Sequence, residues 1–184
     1  EDTLSLHDAL PISGLRTACA VAQGLAFGAD KVVLPVDTLL AVAEEARMQS
    51  GSDAPLTVLA LLDARMNEVY SAAYDWDGRH WTLCQALQVG SPEQVNAPAA
   101  SRLLTAGNAF EAYGQQLQHL SGERLHALPT AAALLRLAPA LLAAGQAVPA
   151  EQAMPLYIRD KVAQTTAERE AIKANPAAAP SGQA

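Results

Sequence analysis

From residue 14 onward the apolar positions fall into alternating helical and strand periods. Residues 14–28 (GLRTACAVAQGLAFG) carry small apolar side chains at helical spacing, with Ala18, Ala22, Leu25 and Ala26 recurring along the surface. Gly28 followed by Asp30 marks the stop. Residues 31–36 (KVVLPV) make a short β-rich run that Pro35 confines to a sheet edge or a strand end. Asp37-Thr38 then caps a second helix running to about Gln49, with Leu40, Ala43, Glu44 and Arg47 at i, i+3, i+4, i+7. The polar run Ser50-Gly51-Ser52-Asp53 closes it.

The middle of the chain changes period. Residues 56–62 (LTVLALL) are continuously apolar over a strand's length, as a strand buried on both faces requires. A turn is expected at Asp63-Ala64-Arg65, after which residues 68–76 alternate, placing Tyr70, Ala72, Tyr74 and Trp76 on one face. Asp77-Gly78 signals a hairpin, and Trp81, Leu83, Leu87 and Val89 are expected to face one way on the returning strand. Three strands joined this closely make an antiparallel meander. Ser91-Pro92-Glu93 starts a short helix, residues 102–106 form a further strand, and Gly107-Asn108 opens a helix to about His119. An Ala/Leu helix over residues 130–144, kinked at Pro139, ends at Gly145, and residues 155–159 form a short extended piece. Residues 164–184 lack periodicity and read as a disordered tail. The order of elements is that of an α/β or α+β protein.

Composition narrows this picture. Half the chain is apolar (51%) but only 4% is aromatic, so the core is built from Ala, Leu and Val. Apolar stretches are interrupted before the ~20 residues of a membrane span, and a soluble, cytoplasmic protein is expected. The net charge is −7 and no Lys/Arg cluster occurs, so contact with RNA would have to run through a protein partner. Cys19 and Cys84 lie far apart in apolar surroundings and read as buried, unpaired thiols. Residues 1–13 (EDTLSLHDALPIS) have neither the basic region nor the cleavage site of a signal peptide. They are expected to be a non-native leader of the kind left by a translated sequencing adapter.

Candidate chemistry is sparse. His119 and His126 are seven apart across a Ser-Gly break, without the spacing of a metal pair on one helix face. GxxxxGK[ST], GxGxxG and GxSxG are all missing, and Gly107-Asn108-Ala109 reads as an ordinary strand-to-helix turn. The most unusual string is Asp63-Ala64-Arg65-Met66-Asn67-Glu68-Val69-Tyr70. By itself it reads as a polar turn, with Asp63 and Asn67 bonding the local backbone and Arg65 pairing with Glu68 or Asp63.

Preceded by an apolar strand and followed by a hairpin, DARMNEVY resembles the signature of the TsaB (YeaZ) family. GLRTACAVAQGLAFGAD is similar to that family's first long helix, LPVDTLLAVA to its next strand and helix, and AMPLYIRDKVA to its C-terminal Pro-x-Tyr-x-Arg element. The resemblance covers residues 14–163 in family order. It implies an α/β, actin-like, ribonuclease-H-like (ASKHA) fold whose first lobe, with its Gly-Pro-Gly-Ser-Phe-Thr loop, is largely missing here. It further implies a non-catalytic subunit that joins TsaD and the ATPase TsaE to make N6-threonylcarbamoyladenosine beside the anticodon of tRNAs reading codons that start with A. TsaD would carry the active site, and tRNA would be met only through the complex. No catalytic residue, cofactor or metal is expected in this chain, and a homodimer is the alternative state of the chain alone.

The family's subunits join through a helix bundle, which places partner contacts on Leu15, Ala18, Ala22, Leu25, Ala26, Leu39, Leu40 and Ala43. The motif residues Asp63, Arg65, Glu68, Tyr70, Pro155, Tyr157 and Arg159 come without an assigned role. Two rival readings remain at this stage: a glycoprotease-like hydrolase or acyltransferase, and a kinase-like ATPase of the same fold.

Overall fold

The computed structural model describes residues 10–158, with side chains from Gly14 onward. The expectations for residues 1–9, for the tail and for Arg159 lie outside the described residues. Helix α1 spans Leu10–Ala29, four residues longer at its start than the periodicity suggests. Its stop falls at Asp30, within the expected Gly28 to Asp30 stop. Asp30 takes the left-handed conformation (φ 52°), and the amides of Asp30 and Lys31 bond back to Phe27 and Ala26 at 3.3 and 2.8 Å. That is a Schellman end in which an Asp takes the place usually held by Gly.

Residues 31–36 do not form a strand. Val33 and Val148 exchange two backbone bonds (2.9 and 2.8 Å) as an isolated bridge, and Pro35, two residues on, has no N–H to extend a ladder. Helix α2 (Thr38–Gln49) starts where expected, with the Asp37 carboxylate accepting from the Leu39 amide at 2.8 Å.

Five strands make one sheet: β1 (Leu56–Arg65), β2 (Glu68–Trp76), β3 (Trp81–Gly90), β4 (Leu103–Gly107) and β5 (Glu123–Leu125), in the order β3-β2-β1-β4-β5. The meander β1–β3 is antiparallel, while β4 and β5 run parallel to β1 on its other side. Asp63-Ala64-Arg65 belongs to β1. The turn is Met66-Asn67, because Arg65 already pairs with Glu68. Trp81 and Leu83 stay in continuous register opposite Trp76 and Tyr74, and the register shifts come only beyond Leu83. Trp81 and Leu87 pack against the core, but Leu83 points to solvent. Helix α3 (Ala109–Tyr113) is a short piece followed by turns, not a helix to His119.

β1 sits centrally and is buried on both faces. On one face Leu56, Val58 and Ala60 meet Ala72 and Tyr74 of β2, Leu104 and Ala106 of β4, helix α2 and helix α4 (Ala131–Ala143). On the other, Leu59 and Leu61 meet Val69, Ala73, Val95, Ala109, Leu117 and Leu120. Helix α4 begins on Thr130, whose hydroxyl accepts from the Ala133 amide, and ends in a Schellman turn at Gly145 (φ 71°).

Glu44, 3% exposed, fastens the layers. Its carboxylate accepts from Arg47 (3.0 Å twice), from Arg136 of α4 (2.9 Å) and from the Trp81 indole of β3 (3.0 Å). Burial opposes its charge, but these donors and the two cations outweigh that and hold its pKa below the usual carboxylate range. Neither cysteine is buried as expected: Cys19 is half-buried and Cys84, on β3, is exposed, and both are unpaired.

Candidate functional site

Two places hold the residues singled out by sequence. The first is the carboxyl end of the sheet between β1 and β4. From β1 the chain moves one way to β2 and β3, then returns to β4 on the other side. Such a reversal point opens a crevice at the strand ends in α/β sheets. Here the Asp63 carboxylate accepts from the Arg65 amide (2.7 Å), the Arg65 guanidinium (3.0 Å) and the Tyr113 hydroxyl (2.9 Å). The Asp63 amide in turn donates to the Asn108 side-chain oxygen at 3.0 Å. Burial, then the hydrogen bond to Asp63 and its charge, push the Tyr113 hydroxyl upward in pKa. The motif's Asp is thus a clamp joining the hairpin to the β4–α3 turn.

That hairpin is strained. Arg65, Met66 and Asn67 all lie in the left-handed region (φ 62°, 54° and 57°). Met66 and Asn67 are the central pair of a two-residue hairpin, where positive φ at both positions matches the twist of the strands. Arg65 and Met66 there each cost about 1 kcal/mol or more, and Asn67, of a type that takes this conformation readily, costs less. Asp63 offsets part of this by holding the Arg65 amide. Gly107 is required beside it: with φ +136°, an added Cβ would stand 1.8 Å from the Leu61 carbonyl oxygen. A groove of about 260 Å³ opens nearby, lined by Gly107, Phe110, Glu111, Arg124, Leu125 and His126, with His126 paired to Glu111 at 2.9 Å. Glu68 sits half-buried across the turn from Arg65, and Tyr70 packs its ring on the α2 side of the sheet.

The second place is helix α1, and here the expected contact set divides. Leu39, Leu40 and Ala43 are buried in this chain's own core against the sheet. Ala26 is buried as well, whereas Leu15 (43% exposed), Ala18 and Leu25 (71%) face outward and Ala22 is half-buried. At 3.6 residues per turn, positions 15, 18, 22 and 25 share one side with Val21 (55% exposed). Among the described side chains, neither of the two core clusters contains a residue of α1. The helix is held from its opposite side: Arg16 Nε donates to the Tyr157 hydroxyl (2.8 Å) and Gln23 Nε2 to the Ala153 carbonyl (3.1 Å). Pro155 is half-buried in the same segment.

Sequence reasoning missed Tyr113 and Asn108 as partners of Asp63, and Arg16 and Gln23 as anchors of α1. The Gly107-Asn108 turn was the available signal for the first pair; the second had none.

A mixed sheet in this order, with helices on its faces, defines an α/β domain of the actin-like, ribonuclease-H-like class. A family model described as "TsaD: tRNA N6-adenosine threonylcarbamoyltransferase" matches residues 11–167. The tRNA threonylcarbamoyladenosine biosynthesis protein TsaB of Escherichia coli (strain K12) is 35% identical over 160 residues, covering 82% of this chain and 67% of that protein. Its Haemophilus influenzae namesake is 34% identical, covering 82% and 66%. Among solved structures, one from Pseudomonas aeruginosa described as similar to peptidase YEAZ superposes with a TM-score of 0.72 at 36% identity, covering 80% of this chain and 68% of that one. A second, YeaZ from the same species, gives 0.72 at 35%, covering 79% and 67%. This chain belongs to the TsaB (YeaZ) family, and it spans about two thirds of the length of these relatives.

Proposed function

We propose that this protein serves tRNA threonylcarbamoyladenosine biosynthesis as a non-catalytic partner of a TsaD-type subunit, docking through the outward side of α1. The observation that carries the reading is Leu15, Ala18, Val21 and Leu25 aligned on a helix whose opposite side is already anchored. Small residues on that side allow a second helix to approach closely, and the leucines and valine supply apolar area to bury. The names of the curated relatives support the pathway, and the family model, described for the transferase itself, supports a shared ancestry with the catalytic subunit. The net charge of −7 favours contact with tRNA through the complex over direct binding. A TsaE-type ATPase is the further partner in this reading, and the setting is cytoplasmic. Among the described residues no helix is long and apolar enough to cross a membrane.

Titrating the chain against the TsaD-type subunit of the same organism tests the proposal. Leu25→Arg should weaken binding at least tenfold, since a buried apolar anchor becomes a charge, with far-UV circular dichroism unchanged. Equal affinity for the variant would remove α1 from the interface.

A further inference from the structure

We propose that the segment Ala150–Tyr157 is a strap that positions α1 for its partner, with Arg16, Gln23 and Tyr157 as positioning residues. The inference rests on the docking reading above but uses the other side of the helix.

Two separate ties fix α1 to this segment, and a third holds the chain leaving the helix to Val148, two residues before it. In the first half of the helix, the Arg16 guanidinium donates to the Tyr157 hydroxyl at 2.8 Å and lies 5.6 Å from the centroid of the same ring. Two turns on, Gln23 Nε2 donates to the Ala153 carbonyl at 3.1 Å and lies 3.9 Å from Met154 Sδ. Past the helix end, Val33 and Val148 exchange backbone bonds at 2.9 and 2.8 Å. Ala150 and Ala153 of the segment are buried, and a groove of about 490 Å³ opens between Ala20, Gln23, Gly24 and Phe27 of α1 and Ala150 and Glu151.

A helix whose described side chains join neither core cluster takes its angle from such ties. Arg16 and, two turns on, Gln23 fix both tilt and rotation, because two anchors on one helix face restrain turning about the axis. The Pro155-Leu156-Tyr157 stretch, noticed in sequence without a role, thereby gains one: it presents the ring that Arg16 grips. Loosening the strap should disorient the docking face without altering any residue on it. The cost then appears as affinity lost to a less ordered free state.

The test compares four variants of the full chain with wild type: Arg16→Ala, Tyr157→Ala, the double variant, and Tyr157→Phe. Calorimetric titration with the TsaD-type subunit gives affinity, and hydrogen exchange on the unbound chain gives the order of α1. Each alanine variant should bind about tenfold more weakly, the double no worse than the weaker single, and Tyr157→Phe in between, because it keeps the ring but loses the hydroxyl. Exchange should quicken in α1 while β1 and α2 keep their protection. If Leu25→Arg weakens binding but the strap variants do not, the strap is refuted and the docking reading stands. If Leu25→Arg leaves binding intact, docking is refuted, and exchange alone decides whether the strap holds α1. Unchanged exchange, or strictly additive losses in the double variant, overturns the inference.

Discussion

Replacing Glu44 by alanine should be among the most damaging single changes in the core. The carboxylate is 3% exposed and receives four hydrogen bonds from Arg47, Arg136 and Trp81. Removing one member of a buried ion pair costs about 3–5 kcal/mol, because the remaining charge is left buried without its counterpart. Here both cations have alternatives. Arg136 keeps Glu45 at 2.7 Å, and Arg47 keeps Asp53 at 3.3 Å and its place 4.6 Å from the Trp76 ring centroid. The loss should therefore fall at the lower end, about 3 kcal/mol. In urea, with m about 2 kcal/mol/M for a domain of this size, the midpoint moves down by about 1.5 M. Glu44→Gln keeps one acceptor oxygen and should lose roughly half as much. A shift below about 0.5 M for Glu44→Ala would mean that the network is screened like a surface pair, and the reasoning would fail.

Three further outcomes follow from the geometry. Gly107→Ala drives a methyl into the Leu61 carbonyl and should cost more than about 4 kcal/mol, leaving little folded protein by circular dichroism; a cooperative melt near that of wild type would contradict it. Met66→Asn places a residue tolerant of positive φ at the hairpin and should raise stability by about 0.5–1 kcal/mol in urea unfolding, whereas a lowered midpoint would show that Met66 makes contacts worth more than the strain. The pKa of Glu45 is lowered by its bonds to Arg136 and Thr130, and that of Glu44 is lowered as described above. Both therefore contribute stability that is full above the ordinary value of 4.5 and is lost as pH falls through their lower folded values. Acid titration of wild type should show this loss, and Glu44→Ala should flatten it.

Much of the fold was legible because the residues concerned speak locally. Asp37 announces a helix start, Leu56–Leu62 a strand buried on both faces, and Asp77-Gly78 a hairpin, and each is where the pattern puts it. β5 left no trace, since three residues with two of them exposed carry no period. The two register shifts in β3 were equally silent, since an extra residue changes which residues pair without changing composition. The candidate site was half legible. Asp63 and Arg65 stood out, but Tyr113 and Asn108 reach them from distant elements, and only the sheet order brings them there. Leu39, Leu40 and Ala43 show the limit of an apolar stripe. It says that a surface must be covered, but not by which chain.

The sheet order also sets a sequence of events during folding. β1, β2 and β3 can zip together from two tight hairpins, a local and fast process. The other edge of β1 must wait, because Thr57 pairs with Leu103, and the intervening chain has to be closed as a loop before that ladder forms. Until then an apolar strand destined for burial on both faces carries a row of unpaired amides and carbonyls on one side. The docking of β4 is thus the step that ends the chain's exposure to mispairing, and Gly107 is what leaves room for β4 to close against Leu61.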